Sequence, residues 1–575
     1  MVNIRRALVA ILLLALAVFA WLWFTRPARV DMATYVPADS IVYLEADSLP
    51  EVFDALTSTE AWRELAPAAG VETKQVWQGW GGWPPRLLSF TGLGPHDAVV
   101  LSRAQVAVAV LGFQAAEESD TTLKFTPRAA LVAETHTSGW RVKVAVEKLV
   151  GDFARKTFGA QSIERKEVDG VPFMTWIEPT GSRRKVVAAI YESVAVVGND
   201  ESVVQACVDV RRGARPSLAG DEQLKEMRAR VGAEGALAFG YAPRGSAAKA
   251  VEVFAPAFVG GMSDESHVQS LLATMLPQLI NQTLGSAGWS SRVEAGSVED
   301  RYFLSLPGDM AARLESPLAP ADAIEAGAAS MLPPDTYLLT QYRFRNLESA
   351  WRGLGAVLST QTDVSRATII TLALEALLKP YGIEEPREFL RACASEVATA
   401  KIEPASEGKV LVASVRDRVA LRTQVLTHLG RGARTERVGN AEILISLDPE
   451  RGAASFAGDY LLMGSEEDVR RCVSARLENR TLQNSDALKA APQNFFDAPA
   501  FARTLTDDRD ASRSVLSYFA RGGVLDSAKP GALEDVLARR GYSVSETRLT
   551  DGGFEKKTRS AFGLFGEVVT RFSPR

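Results

Sequence analysis

The sequence predicts an α+β protein of two homologous domains, each a mainly antiparallel sheet with helices packed on it, behind an N-terminal transmembrane helix. Three observations carry this expectation. An uncharged apolar run lies near the N-terminus, a Pro-Asp strand opening occurs twice, and hairpin-linked β-rich segments are interspersed with helical patterns without strict βαβ alternation.

Residues 1–6 form a short basic tail with Arg5 and Arg6, residues 7–24 carry no charge, and Arg26 and Arg29 follow. At about 1.5 Å per residue, a helix over that run measures ~27 Å, close to the ~30 Å hydrocarbon core of a bilayer. Trp21 and Trp23 at its end suit an interfacial aromatic belt. Val18 and Ala20 offer a small-residue cleavage site, but the run stays apolar to Phe24, where a mature N-terminus would turn polar. An uncleaved signal-anchor is therefore expected. A short basic tail before a large C-terminal part keeps residues 1–6 in the cytoplasm and exports the rest. The expectation is a single-pass inner-membrane protein with periplasmic C-terminal domains, meeting the lipid bilayer through residues 7–24.

A linker over residues 25–34 leads to a first domain at residues 35–320, and its duplicate is expected at residues 330–575. The first opens with Pro37-Ala38-Asp39, a strand over residues 40–46 and a helix over residues 49–56. The second opens with Pro333-Pro334-Asp335, a strand over residues 336–342 and a helix capped by Asn346. Further matches follow in the same order. Pro37 and Pro333 lie 296 residues apart, Val106 and Val397 lie 291 apart, and Leu131 and Leu411 lie 280 apart. The hairpin signals at Asp169-Gly170 and Gly439-Asn440 lie 270 apart, Gly198 and Gly464 lie 266 apart, and Leu218 and Leu482 lie 264 apart. Gly288-Trp289-Ser290 and Gly541-Tyr542-Ser543 complete the series at 253. An offset that only falls is what a second copy with shorter loops produces; chance matches would scatter. Glu265 to Leu284 and Arg366 to Leu378 read as core-facing amphipathic helices, because charged and polar residues interrupt the first and the second is too short to span.

With 46% hydrophobic and 23% charged residues over 575 positions, the chain has a globular composition. A net charge of −5 and no dense Lys/Arg face argue against a nucleic-acid partner. Its three cysteines cannot build a disulfide framework, and Cys207 and Cys472 fall at one place in the two copies, so buried core thiols are expected.

Local motifs point to no chemistry. His96, His136, His267 and His428 lie far apart, without a zinc, Walker A or nucleophile-elbow pattern. Ser246-Ala247-Ala248-Lys249 fits a Ser-x-x-Lys nucleophile, but the partner motifs are missing and a helix start explains it. Gly92-Leu93-Gly94-Pro95 lacks the third glycine of a dinucleotide turn. Asp39 and Asp335 read as turn devices. Trp77, Trp80 and Trp83 sit in a glycine-rich stretch with no counterpart in the second copy, and form the one candidate interaction surface; folding back onto their own domain is the structural alternative. No catalytic residue, cofactor or metal site is expected.

The anchor, the opening at residues 36–47, the strand-helix unit at residues 457–469 and the Leu482 to Ala490 segment resemble an uncharacterised family of bacterial membrane-anchored extracytoplasmic proteins, known as a domain of unknown function. Weaker versions stand at residues 191–203 and 218–226. The resemblance implies location and architecture, with no activity or site residues. The expected function is a noncatalytic envelope protein whose paired domains bind or scaffold another envelope component. The alternatives are an exported hydrolase with a site at the domain interface and a carrier of lipid or another hydrophobic ligand.

Overall fold

A computed structural model describes residues 29–68, 104–119, 122–160, 162–179, 184–259, 266–321, 327–360, 374, 378–405, 408–489, 491, 495–521, 530–538, 540–564 and 566. The protein is α+β, with a large antiparallel sheet and helices. The apolar run at residues 7–24 lies outside the described residues, and among those described no helix is long and apolar enough to cross a membrane.

Ten strands come from the first half of the chain: β1 Val42–Ala46, β2 Gln105–Ser119, β3 Thr122–Glu134, β4 Ile163–Val168, β5 Val171–Ile177, β6 Lys185–Tyr191, β7 Val194–Gly198, β8 Ala238–Ala242, β9 Ala287–Glu294 and β10 Ser297–Ser305. Ten more follow: β11 Leu338–Arg343, β12 Cys393–Lys401, β13 Val410–Val415, β14 Arg434–Val438, β15 Ala441–Ile445, β16 Ala453–Ala457, β17 Tyr460–Gly464, β18 Ala502–Asp507, β19 Tyr542–Thr550 and β20 Gly553–Ser560. Pairing runs β4-β5-β6-β7-β3-β2-β1-β8-β9-β10 and continues through β20-β19-β18-β11-β12-β13-β17-β16-β15-β14, antiparallel throughout. The second ten strands therefore repeat the succession of the first in reverse, about the β10–β20 junction.

Register repeats along with order. Val42 faces Val110 as Leu338 faces Lys401, which joins the offsets 296 and 291 in one strand pair. Val106 faces Ala133 as Val397 faces Ala413, joining 291 and 280. Phe173 faces Ala189 as Ile443 faces Ser455, joining 270 and 266. One expected match shifts: Gly240 faces Trp289 and Thr504 faces Ser545, so Trp289 corresponds to Ser545 at offset 256, and the tyrosine aligned with it by sequence, Tyr542, lies three residues earlier on β19. A one-residue slip would exchange the faces of a strand; at offset 256, buried Gly288 and Ser290 meet buried Val544 and Glu546.

Local chemistry explains the turns and caps. Asp169 and Gly170 both have positive φ, at 51° and 79°, as a two-residue hairpin of type I′ requires. Residues 189–198 and 455–464, which end at the matched Gly198 and Gly464, each fold into a hairpin, turning at Glu192-Ser193 and Gly458-Asp459. Asp200 caps the helix Glu201–Arg211 by accepting from Ser202 N, and Ser465 caps Glu466–Leu477 by accepting from Asp468 N. Asn346 Oδ1 accepts from Ser349 N at 2.9 Å, the expected cap of Leu347–Thr360.

Helices cover both faces of β5, β6 and β7. Val203, Val204 and Cys207 on helix Glu201–Arg211 pack with Phe173, Val187 and Ala189 on one face. Val142 and Val146 on helix Gly139–Phe158 pack with Met174, Ala188 and Ile190 on the other. Successive side chains point to opposite faces, which is why β6 reads as a continuous apolar run rather than an alternation. Helices Glu466–Leu477 and Arg418–Leu429 divide β15, β16 and β17 in the same way.

Two features join the halves. Strands β10 and β20 pair over eight positions, from Val298 with Ser560 to Ser305 with Gly553, with Arg301 and Lys557 facing each other at the position where the 256 offset maps each onto its partner. Beside them, Trp62 and Leu65 on helix Glu60–Ala68 share a core with Val515, Leu516, Leu537 and Phe562.

Candidate functional site

The turn carrying Asp335 opens onto a cleft of about 230 Å³, lined by Asp335, Tyr337, Pro404, Asp507, Arg509, Asp510, Arg513, Glu534 and Leu537. Its wall is the end of β18 and the start of helix Arg509–Arg521, where Asp507 Oδ1 accepts from Arg509 N at 2.9 Å. Arg509 Nε donates to Asp507 Oδ2 at 2.6 Å, and that hydrogen bond holds the guanidinium firmly charged. Arg513 bridges Asp510 at 3.3 Å and Glu534 at 3.1 Å. Arg471 Nη2 donates to Asp335 at 3.1 Å. Each lining carboxylate therefore has a guanidinium partner, and no lining serine, cysteine or histidine stands beside a base. The arrangement suits binding of a small polar group and offers no nucleophile–base pair. At offset 264, Asp507-Asp508-Arg509-Asp510 corresponds to Pro243-Arg244-Gly245-Ser246, so the first half lacks this charge set.

A second polar arrangement occurs in both halves, where the chain enters each group of ten strands. In the first, the side chain of buried Gln105 pairs with the backbone of Val30: Oε1 accepts from Val30 N at 2.9 Å, and Nε2 donates to Val30 O at 3.0 Å. Oε1 also lies 3.0 Å from His136 Nε2, which makes that ring nitrogen the proton-bearing one. Arg29 reaches Asp47 at 3.3 Å and Glu51 at 3.0 Å. Arg228 donates to Asp31 at 2.8 Å and Glu45 at 2.9 Å, with its guanidinium over the Phe239 ring. Burial raises the Glu45 carboxyl above the usual range, although Arg228 opposes it. Burial also works against the Asp31 carboxylate, but hydrogen bonds and charge from Arg228 outweigh it and hold the group low.

The counterpart of Gln105 at offset 291 is Glu396, which is fully buried. Its Oε1 accepts from Gln341 Nε2 at 2.8 Å and Arg343 Nε at 3.1 Å, and its Oε2 accepts from Tyr460 Oη at 2.9 Å. Gly327 lies against this group: a Cβ there would meet Arg343 Nη2 at 2.7 Å. The first arrangement fastens the incoming segment at Val30, whereas Glu396 ties β12 to β11 and β17. The sequence reading missed them. Its one signal was a polar residue opening otherwise apolar strand segments at matching positions, Gln105 before Val106 and Glu396 before Val397.

Trp77, Trp80 and Trp83, the candidate interaction surface, lie outside the described residues, as does His96. Among the described residues no three His, Cys, Asp or Glu side chains form a metal-holding group. Cys207, Cys393 and Cys472 are free and buried, and desolvation pushes the Cys207 thiol up to about 12. Asp39 and Asp335 do the same job in their turns, pairing with Arg215 at 2.5 Å and Arg471 at 3.1 Å. Ser246 begins a helix, as expected from its sequence context. No family model, curated protein or solved structure matches the chain.

Proposed function

We propose that the chain is a noncatalytic, single-pass envelope protein, anchored through residues 7–24, whose exported part binds or scaffolds another envelope component. In this reading residues 35–320 and 330–575 are duplicated α+β domains of the membrane-anchored family that the sequence resembles. The observation that supports it is the repeat of ten-strand order and register on both sides of the β10–β20 junction. A duplication fused edge to edge provides a broad, rigid platform, and the conspicuous buried charges, such as Glu396 and Glu299, are engaged in internal pairs.

Crosslinking and affinity capture from membranes, using the full chain and a Trp77→Ala, Trp80→Ala, Trp83→Ala variant, test the reading. Capture of one specific envelope partner, lost in the variant, is the expected result and would place the partner on that stretch. Turnover of an ester, peptide or glycan by the purified protein, abolished by one polar substitution, would overturn the noncatalytic reading in favour of a hydrolase. The Asp335 cleft is where that substitution would first be made.

A further inference from the structure

The chain that follows the apolar run is tied down almost as soon as it leaves it. Residues 25–28 alone separate Phe24 from Arg29. Five extended steps reach at most ~18 Å, and the headgroup layer occupies about 5–8 Å of that distance. From Arg29 onward the chain is fixed by three sets of contacts. Arg29 pairs with Asp47 and Glu51, Val30 is held on both backbone groups by the Gln105 amide, and Asp31 pairs with Arg228 while accepting from Ala33 N at 3.0 Å. Those partners sit just past the end of β1, on β2 and on helices Leu49–Thr57 and Glu222–Arg230. The clamp therefore connects the segment to several elements of the sheet at once.

We propose that the corner formed by the end of β1 and the start of helix Leu49–Thr57, around Arg29, Asp47, Leu49 and Glu51, is a bilayer-facing surface apposed to lipid headgroups. The inference rests on the anchor reading above and adds to it the orientation of the platform. Chain length places this corner within reach of the headgroups, and the clamp fixes Arg29 to the sheet, so that residues 25–28 alone set the distance between the corner and the anchor. Arg29 pairs with both Asp47 and Glu51 and offsets one of their two charges, which reduces the acid presented to the lipid phosphates. Leu49 stands exposed beside them as an apolar contact. Toward the far end of the sheet, β15, which leads into exposed Leu447, lies twelve strand spacings from β1 in the pairing order.

The test uses the full chain reconstituted in phosphatidylethanolamine/phosphatidylglycerol vesicles containing a headgroup-nitroxide lipid. Since the native cysteines are buried, Leu49→Cys and Leu447→Cys each take a fluorophore at one exposed site. Quenching is expected to be at least about threefold greater at position 49 than at 447. Inserting roughly twelve Gly/Ser residues after Ala28 lengthens the tether and should reduce the difference. Equal quenching at the two positions, in protein that floats with the vesicles and resists carbonate extraction, would overturn the bilayer-facing corner and leave the anchor standing. Protein that fails to float with the vesicles would overturn the anchor reading, and the orientation with it.

Discussion

Replacing Glu396 tests whether the buried carboxylate organises the start of the second ten strands or merely fills space. In the structure it accepts three hydrogen bonds, from Gln341, Arg343 and Tyr460, while having no exposure to solvent. Glu396→Ala removes both acceptor oxygens and strands three donors, one of them charged. Breaking a buried pair from one side costs about 3–5 kcal/mol, and the partial exposure of Arg343 keeps the expected loss near 3. Glu396→Gln keeps the shape but places an amide NH₂ where one donor now ends, and removes the charge assistance to Arg343; a loss of about 1.5–3 kcal/mol is expected. Gln105→Ala, at the equivalent place in the first half, removes neutral bonds to Val30 and His136 and a long one to Asp47, and should cost about 1–2 kcal/mol. Urea unfolding of the full chain in detergent, followed by tryptophan fluorescence and far-UV circular dichroism, ranks the three variants. Glu396→Ala no more damaging than Gln105→Ala would refute the reasoning.

Gly198 and Gly464 occupy one position of the repeat with unequal room. A Cβ at Gly198 meets Ala129 O at 2.8 Å and Val204 Cγ2 at 2.9 Å, whereas at Gly464 the nearest atom is Lys409 O at 3.3 Å. Gly198→Ala should therefore lower the thermal midpoint by several degrees more than Gly464→Ala, as measured by differential scanning fluorimetry. Burial works against the Glu299 carboxylate, but hydrogen bonds and charge from Arg559 and Arg301 prevail and hold it below its ordinary 4.5. A carboxyl lowered on folding adds stability above its unfolded pKa and loses it as pH falls through the lowered value. Glu299→Gln should thus reduce stability at pH 7 and flatten the acid limb below pH 4.5 by up to about 1.4 kcal/mol per pH unit, measured by denaturant unfolding across pH. For the three buried cysteines, a chromogenic disulfide reagent should find no reactive thiol in the folded protein and three after denaturation; rapid labelling of Cys207 without unfolding would contradict its packing between the helix and β5–β7.

The sequence by itself determined local structure and its recurrence. Asp169-Gly170 specified a hairpin because its left-handed backbone admits few residue types, and Asn346 marked a helix start through the orphan amide it caps. Strand offsets from 296 down to 264 were readable because a buried face fixes register, so apolar positions and glycines persist where loop lengths do not. The last offset, 253 by sequence and 256 by pairing, misled because Gly-aromatic-Ser matched by composition while the burial pattern of β9 and β19 matched three residues away. Only the tertiary structure decided what each polar residue touches. Glu396 meets Tyr460, Arg228 meets Asp31, and Asp335 forms a cleft with Glu534, all across long sequence separations that leave no local period. The same holds for the β10–β20 junction. Periodicity states which side chains are buried, but strand edges carry the same backbone donors and acceptors everywhere, so the choice of β20 as the neighbour of β10 depends on the packing of the whole chain.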